Sequence, residues 1–377
     1  MPERLARHYR SGALLRFAWQ GGRLTAVGAV ADGETDLCAA PGLLDLQVNG
    51  YGGLDFSTPA GVAGIAALLA RHGVTRFLPT VITAAPEVLE GALRAIASAL
   101  EADPGLCAAV PGIHLEGPYL SAEDGPRGAH PRAFVRDPDL GHWDRLQAAA
   151  GGRIRVLTLA PERPGAPELI ARASAAGVVV ALGHTAAGGA EIRRAAAAGA
   201  RLCTHLGNGL AASIDRHRNP LWPQLACGSL WASFIADGEH LPADALTAML
   251  AAKGLERSIL CSDAVREAGL PPGEYTGVGG TAVRVRASGR VELAGTPYLA
   301  GSGAHLAHCV AFAAACGAVR LPEAIELASL RPAQLLGLPA GALAPGGDCF
   351  LYRVGADGGL DVRLTVRAGE VVYAGAG

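Results

Sequence analysis

The chain has 377 residues, half of them hydrophobic and 18% charged, with a formal net charge of −2. A chain this apolar buries enough surface to offset its ordering entropy, which excludes general disorder. Its near-neutral balance sets up no field for nucleic acid or an anionic membrane surface.

The length suits two or three domains, or one large α/β barrel with an attachment. Residues 1–12 hold four charges and no apolar core, so no secretory signal is expected, and no uncharged apolar run reaches the ~18 residues of a membrane helix. Eight cysteines, at 38, 107, 203, 227, 261, 309, 316 and 349, scatter through apolar stretches without a Cys-x-x-Cys pair. They read as reduced thiols of a soluble, cytoplasmic protein.

From the amino end, residues 13–19, a Gly21-Gly22 turn, 24–30 and 35–39 read as short strands. Residues 349–354, 360–366 and 370–374 repeat that style near the other end. Together they predict a small β-sandwich domain built from both termini, residues 1–40 and 341–377. The middle, residues 41–340, alternates. Strand-like apolar runs fall at 43–48, 75–81, 108–115, 154–160, 178–183, 200–204, 231–236 and 258–262. Helical patterns lie between them, among others at 61–72, 86–100, 167–176, 188–198 and 242–253, with stops at Gly73, Gly177, Gly199 and Gly254. The runs are continuous rather than alternating, as for parallel strands covered on both faces. Eight strand–helix units predict an α/β fold of the (β/α)8 TIM-barrel type.

Polar residues gather where these runs end. Gln47 and Asn49 close the first run, His114 and Glu116 the third, and Glu162 follows the fourth. His184 follows the fifth, His205 the sixth, Asp237 and His240 the seventh, and Asp263 the eighth. In a parallel barrel all these ends open on one face. A Glu, two His and an Asp placed there predict a divalent-metal site with a position left for water. The segment Asp45-Leu46-Gln47-Val48-Asn49 lacks the His-x-His pair of a second metal. Lys253, the sole lysine, lies in a helical pattern away from any strand end, so a bridging carbamylated lysine has no host. One metal ion per subunit is expected. His114 reads as support for Glu116, and Glu162 as part of the pocket wall. His305 and His308, three apart in a helical stretch, lack a carboxylate partner and read as core. Gly52-Gly53 and Gly279-Gly280 read as turns without a phosphate-loop pattern.

Five segments carry a family resemblance: Pro41-Gly42-Leu43-Leu44-Asp45-Leu46-Gln47-Val48-Asn49-Gly50, Gly112-Ile113-His114-Leu115-Glu116-Gly117-Pro118, Gly183-His184-Thr185, Thr204-His205-Leu206-Gly207-Asn208 and Ser262-Asp263-Ala264. In order and spacing they resemble the amidohydrolase superfamily and, within it, the N-acetylglucosamine-6-phosphate deacetylases. The likeness covers nearly the whole chain, and the His-Leu-Glu-Gly-Pro segment is its most specific part.

The resemblance implies that Glu116, His184 and His205 hold one divalent metal, commonly zinc, with Fe, Co or Mn also suited to such donors. It implies Asp263 as the catalytic aspartate, and His130, with Ala129 beside it, as the contact of the acetamido carbonyl. Asn208 and Gly209 match residues that meet substrate through amide groups, and His240 a phosphate-binding histidine. Leu299-Ala300-Gly301-Ser302 resembles a loop closing over the sugar. Two departures stand out. Asn208-Gly209-Leu210 replaces the family's Asn-Ala-Met. The family's Arg-x-Pro-Gly, which sends a phosphate-binding arginine from a neighbouring subunit, becomes Asp215-Arg216-His217-Arg218-Asn219-Pro220-Leu221, where Arg216 or Arg218 can serve.

The implied activity is hydrolysis of the N-acetyl group of N-acetylglucosamine 6-phosphate, or of a close amino-sugar phosphate, by a homodimer or larger homo-oligomer with no nucleic-acid or membrane partner. The competing readings are another N-acyl or cyclic-amide hydrolase, and a non-catalytic sugar-phosphate sensor. A sensor has no need of Asp263 beside a metal.

Overall fold

The computed structural model describes residues 3–277, 282–295, 299–339 and 343–375; Gly279-Gly280 and the expected boundary between 340 and 341 lie outside them. Among the described residues, eight parallel strands follow one another in chain order: Leu43–Val48, Val74–Ile82, Ile113–Glu116, Ile154–Leu159, Val179–Leu182, Leu202–Cys203, Trp231–Ile235 and Ser258–Cys261. The last meets the first through the Asp263 N–H, which donates to the Gln47 carbonyl at 3.0 Å, and through a bridge between Val48 and Ala264. The ring is nearly closed, as expected of a TIM-type barrel.

Local chemistry places the helices. Helix Pro59–Ala70 begins where the Thr58 hydroxyl accepts from the Gly61 N–H, with proline at its start. Helix Gly189–Ala198 ends on Gly199 at φ 118°, a conformation that L side chains rarely adopt. One expectation is corrected. The apolar run 108–115 begins inside helix Pro104–Ala109, capped by Asp103, whose Oδ1 accepts from the N–H groups of Gly105 and Leu106. The strand starts only at Ile113, because an apolar run does not by itself separate a buried helical turn from a strand.

The barrel interior is divided by height. Leu44, Leu78, Val156, Leu202, Trp231 and Ile259 form an apolar cluster closed by Leu335 and Leu336 of helix Leu330–Leu336. Two residues further along the same faces stand polar groups: Thr80, Thr158, Thr204 and Ser233. Side chains alternate with a period of two along a strand, so an apolar floor continues into a polar mouth.

Lys253 ends helix Ala243–Lys253, off the strand ends, and is 8% exposed. Its Nζ donates to the carbonyls of Gln224 and Cys227, 2.8 Å each, where helix Leu221–Ala226 runs out of internal donors. Burial pulls its pKa below the ordinary lysine value. Lys253→Met keeps the aliphatic stem and strips both carbonyls of their donor. It is expected to cost about 2 kcal/mol, read as a lower urea midpoint with unchanged activity per folded molecule.

Seven strands from both termini close a second, smaller barrel: Glu3–His8, Leu14–Gln20, Arg23–Ala29, Cys38–Pro41, Cys349–Val354, Leu360–Arg367 and Glu370–Ala374. Ala6, Phe17, Trp19, Leu351 and Leu364 fill it. The expected two-ended β unit is therefore one sheet wrapped on itself. Between the eighth barrel strand and helix Leu306–Ala315 sits a four-stranded antiparallel sheet, Gly273–Thr276, Ala282–Val285, Val291–Leu293 and Leu299–Gly301. The segment expected as a sugar-closing loop is thus the last strand of an inserted sheet. Among the described residues no helix is long and apolar enough to cross a membrane, and the eight cysteines, all described, are unpaired.

Candidate active site

Four described non-glycine residues have a left-handed backbone: His184 (φ 50°), His205 (31°), Asp263 (51°) and Ala368 (49°). The first three each stand two residues past the end of a barrel strand, the fifth, sixth and eighth. Such a conformation costs about 1–3 kcal/mol and gathers at functional sites. Here it is held by neighbouring strands: the His205 N–H donates to Ser233 Oγ (2.8 Å) and the Asp263 N–H to the Gln47 carbonyl (3.0 Å).

These turns aim side chains at one point. His205 Nε2 lies 3.0 Å from Glu116 Oε1 and 3.1 Å from His184 Nε2, and His184 Nε2 lies 3.3 Å from Glu116 Oε1. All three side chains are buried. Tetrahedral coordination at ~2.0–2.1 Å sets ligand atoms about 3.3 Å apart, so this triangle has the edge length of a divalent-metal site. The tautomer of His184 agrees. Its Nδ1–H donates to the Pro126 carbonyl at 2.9 Å, which leaves Nε2 with a bare lone pair. His205 Nδ1 has no hydrogen-bond partner among the described residues. Burial raises the Glu116 pKa, but hydrogen bonds and charge from His184 and His205 outweigh it and hold the carboxyl well below its usual value. Ionised carboxylate is the form that binds metal.

His130 also belongs to this cluster. Its ligand atom groups with those of Glu116 and His184 within 4.8 Å. At 3.3 Å from His184 Nε2 but 3.9 Å from Glu116 Oε2, it sits just outside the tighter triangle that includes His205. Burial, then the neighbouring His184, pushes its pKa down to about 3, so the ring is neutral. Its Nδ1 lies 3.0 Å from the Thr83 hydroxyl.

Two amides at the end of the first strand, Gln47 within it and Asn49 just past it, complete the arrangement. Gln47 Nε2 donates to Glu116 Oε1 at 3.0 Å, and Asn49 Nδ2 donates to Asp263 Oδ1 at 2.7 Å. Sequence reasoning located both residues at the strand end but gave them no partner. Their signal is Asp45, Gln47 and Asn49 at alternate positions of an otherwise apolar buried strand. Asp263 is half-buried, and desolvation followed by the Glu116 charge pushes its pKa up to about 6 against His205, His240 and Asn49.

Around this centre, the ring nitrogens of His114 meet the Leu46 carbonyl (3.1 Å) and Thr158 Oγ1 (2.7 Å). Glu162 accepts from Thr185 Oγ1 (2.5 Å) and the Ala186 N–H (2.8 Å), fixing the turn after His184. Gly209, at φ 59°, lies so close that a Cβ would stand 3.0 Å from His184 Nδ1. Asn208 donates to the His205 carbonyl at 3.3 Å, and Ala129 is exposed on the loop that carries His130. His240 pairs with Asp237, which also accepts from the buried Ser302. Leu299 opens the last inserted strand. Arg216 and Arg218 lie on an exposed loop, and neither guanidinium bonds to His240 or the metal-ligand cluster among the described residues. His305 caps helix Leu306–Ala315 and stacks on His72, ring centroids 3.7 Å apart.

An eight-stranded parallel barrel with carboxylate and imidazole donors converging at its carboxyl end, on a chain with relatives at 34–37% identity, defines the class: an amidohydrolase-type hydrolase. No family model matches the chain. It is 37% identical to bovine N-acetylglucosamine-6-phosphate deacetylase, over 97% of this chain and 93% of that protein. It is 35% identical to the N-acetylgalactosamine-6-phosphate deacetylase of Escherichia coli O157:H7, over 86% of this chain and 84% of that protein. The solved N-acetyl-D-glucosamine-6-phosphate deacetylase of Mycobacterium smegmatis, in one case a variant in complex with N-acetyl-D-glucosamine-6-phosphate, superposes with a TM-score of 0.86 at 34% identity, covering 99% of this chain and 100% of that one. The chain belongs to the N-acetylglucosamine-6-phosphate deacetylase family of amidohydrolases.

Proposed function

We propose that this protein hydrolyses the N-acetyl group of N-acetylglucosamine 6-phosphate, giving the free amine and acetate. One observation carries the reading: Glu116, His184 and His205 form a metal-sized triangle, with Asp263 beside it on the same barrel mouth. These three residues are the proposed ligands of one divalent ion, and zinc is the ion that best matches two imidazoles and a carboxylate at these separations. When bound there, such an ion polarises a carbonyl oxygen and acidifies a water.

The side chains do the rest. Asp263 takes the proton of the attacking water and then gives it to the departing nitrogen, one carboxyl serving as base and then acid. Asn49 holds one of its oxygens and so leaves the other for that proton. In this reading the Thr83 hydroxyl, 3.0 Å from His130 Nδ1, is the donor of that pair and the ring proton stands on Nε2. That N–H stabilises negative charge developing on the acetamido oxygen, an effect of roughly 3–4 kcal/mol for a well-placed donor. Asn208 and Gly209 meet the sugar through amide groups, and Ala129 with the Leu299–Ser302 segment lines its sides. His240 binds the phosphate. Arg216 or Arg218 completes that end from a second copy, so the working form is a homodimer or larger. Eight free thiols suit a reducing compartment such as the cytoplasm.

A second reading rests on relatives named for N-acetylgalactosamine 6-phosphate. Acetate release from both hexosamine 6-phosphates and from unphosphorylated N-acetylglucosamine separates the cases. The expected result is zinc-dependent turnover with kcat/KM at least about ten-fold higher for the glucosamine phosphate than for the free sugar. Preference for the galactosamine epimer selects the second reading. Equal efficiency with and without phosphate removes the phosphate assignment. Binding of the sugar phosphate without acetate release, with or without zinc, makes the protein a sensor.

A further inference from the structure

Asp237 occupies on the seventh barrel strand the place that His184, His205 and Asp263 occupy on theirs, two residues past the strand end, yet its carboxylate is committed to hydrogen bonds. It has four donors. Oδ1 accepts from the N–H groups of Glu239 (2.9 Å) and His240 (2.8 Å), and Oδ2 accepts from His240 Nδ1–H (2.7 Å) and Ser302 Oγ–H (3.0 Å). The side chain is 4% exposed.

We propose that Asp237 is a positioning residue for phosphate recognition: it locks the ring and tautomer of His240 so that Nε2 faces the phosphate end of the site. The proposal rests on the reading of His240 as the phosphate contact.

The two carboxylate oxygens do different work. Oδ1 closes the turn after the strand, which any short polar side chain can do. Oδ2 is the part that a turn does not require. With its Nδ1–H committed to Oδ2, the His240 imidazole presents only Nε2 outward, and a ring tied to the same carboxylate at both its backbone and its side chain has little rotational freedom left. Ser302 keeps Oδ2 from swinging away. It is fully buried, and its backbone bridges to Ala264, next to Asp263, with its carbonyl accepting from the Val265 N–H at 3.1 Å. The carboxylate is thus anchored to the strand end that carries the proposed base. Burial works against its ionisation, but the bonds and charge of His240 hold its pKa below the ordinary value. A preset ring spares the ordering cost that a freely rotating histidine meets on each binding event.

Asp237→Asn tests the division of labour. Its carbonyl oxygen can still close the turn, while an NH2 group replaces Oδ2 and faces two donors. The readout is the ratio of kcat/KM for N-acetylglucosamine 6-phosphate to kcat/KM for N-acetylglucosamine, measured on the zinc-loaded full chain. The ratio is expected to fall at least about ten-fold, chiefly through a higher KM for the phosphorylated sugar. A ratio within two-fold of wild type, whether both substrates suffer equally or neither does, overturns the proposal. His240→Asn separates this from the underlying reading. If that variant leaves the ratio intact, the His240 assignment itself fails; if it collapses the ratio and Asp237→Asn does not, only the role of Asp237 fails. Should Asp237→Asn not fold, Ser302→Ala frees Oδ2 while leaving the turn whole. A ratio about three-fold lower then supports the proposal and an unchanged ratio refutes it.

Discussion

Asp263→Asn is expected to lower kcat by about a thousand-fold or more while the protein stays folded, keeps its metal and binds substrate with little change in KM. The amide matches the carboxylate in size, and its oxygen can still accept from Asn49 Nδ2. What it cannot do is take a proton from water, and general-base assistance is worth ~10²–10⁴-fold in rate. The same group then fails as the acid that protonates the departing nitrogen, so both halves of the reaction suffer. The pH behaviour follows from the environment of Asp263. Burial and the Glu116 charge push its pKa up to about 6, whereas an unfolded aspartate titrates near its ordinary value of 3.8. Between those values the folded protein holds a proton that the unfolded chain has released. The contribution to stability is therefore full below about pH 4 and is lost as pH rises through about 6. In metal-free protein, wild type should lose stability over that window relative to Asp263→Asn, as read from Tm against pH. Activity runs the opposite way, because the base must be ionised: kcat/KM falls on the acid side. A cation across from the carboxylate favours its charged form and moves that limb below about 6. Residual turnover above a tenth of wild type in the asparagine variant removes Asp263 from the role of base.

The barrel was legible because its strands are covered on both faces. Seven of the eight apolar runs match strands to within two residues at each end, and the glycine stops at 199 and 254 fall where helices end. The site was legible for a related reason. In a strand that is apolar throughout, a polar residue two places beyond the end has one function-bearing direction to face, and His184, His205 and Asp263 all do so. Legibility fails where that contrast is missing. Glu3–His8 carries three charges in six residues and buries only Ala6, so its strand character comes from pairing with Leu14–Gln20 rather than from its own pattern. The inserted sheet is built from strands of three or four residues, too short for alternation to register. The third strand was read too early because helix Pro104–Ala109 is as apolar as the strand it precedes. Gln47 and Asn49 show the remaining gap. Sequence marks a polar side chain, but which carboxylate it holds depends on strands 69 and 214 positions away.

Glu116→Gln carries the second large effect, through loss of the metal rather than of a proton shuttle. The substitution leaves volume in place but swaps an anion for a neutral amide between two imidazoles. Gln47 Nε2, His184 Nε2 and His205 Nε2 all face the one oxygen Oε1, so the amide either keeps a neutral oxygen there, a weaker ligand than the anion, or turns its NH2 group on all three. Metal content per chain, by elemental analysis after dialysis, is expected to drop from about one to below about a tenth, with acetate release down by about 10⁴-fold or more. A readout independent of catalysis comes from linkage. An ion that binds only the folded state stabilises it by about 2.7 kcal/mol at a hundred times its Kd, so added zinc should raise the Tm of chelator-stripped wild type by several degrees and leave Glu116→Gln where it was. Stability without metal should change little, since the variant keeps the side-chain volume and removes a buried charge rather than stranding one. Chelation of wild type reproduces the loss of activity and zinc reverses it, whereas the variant does not recover. If Glu116→Gln retains one tightly held ion per chain, the ligand set is wrong, and His130, which already stands 3.3 Å from His184 Nε2, becomes the candidate for the vacated corner.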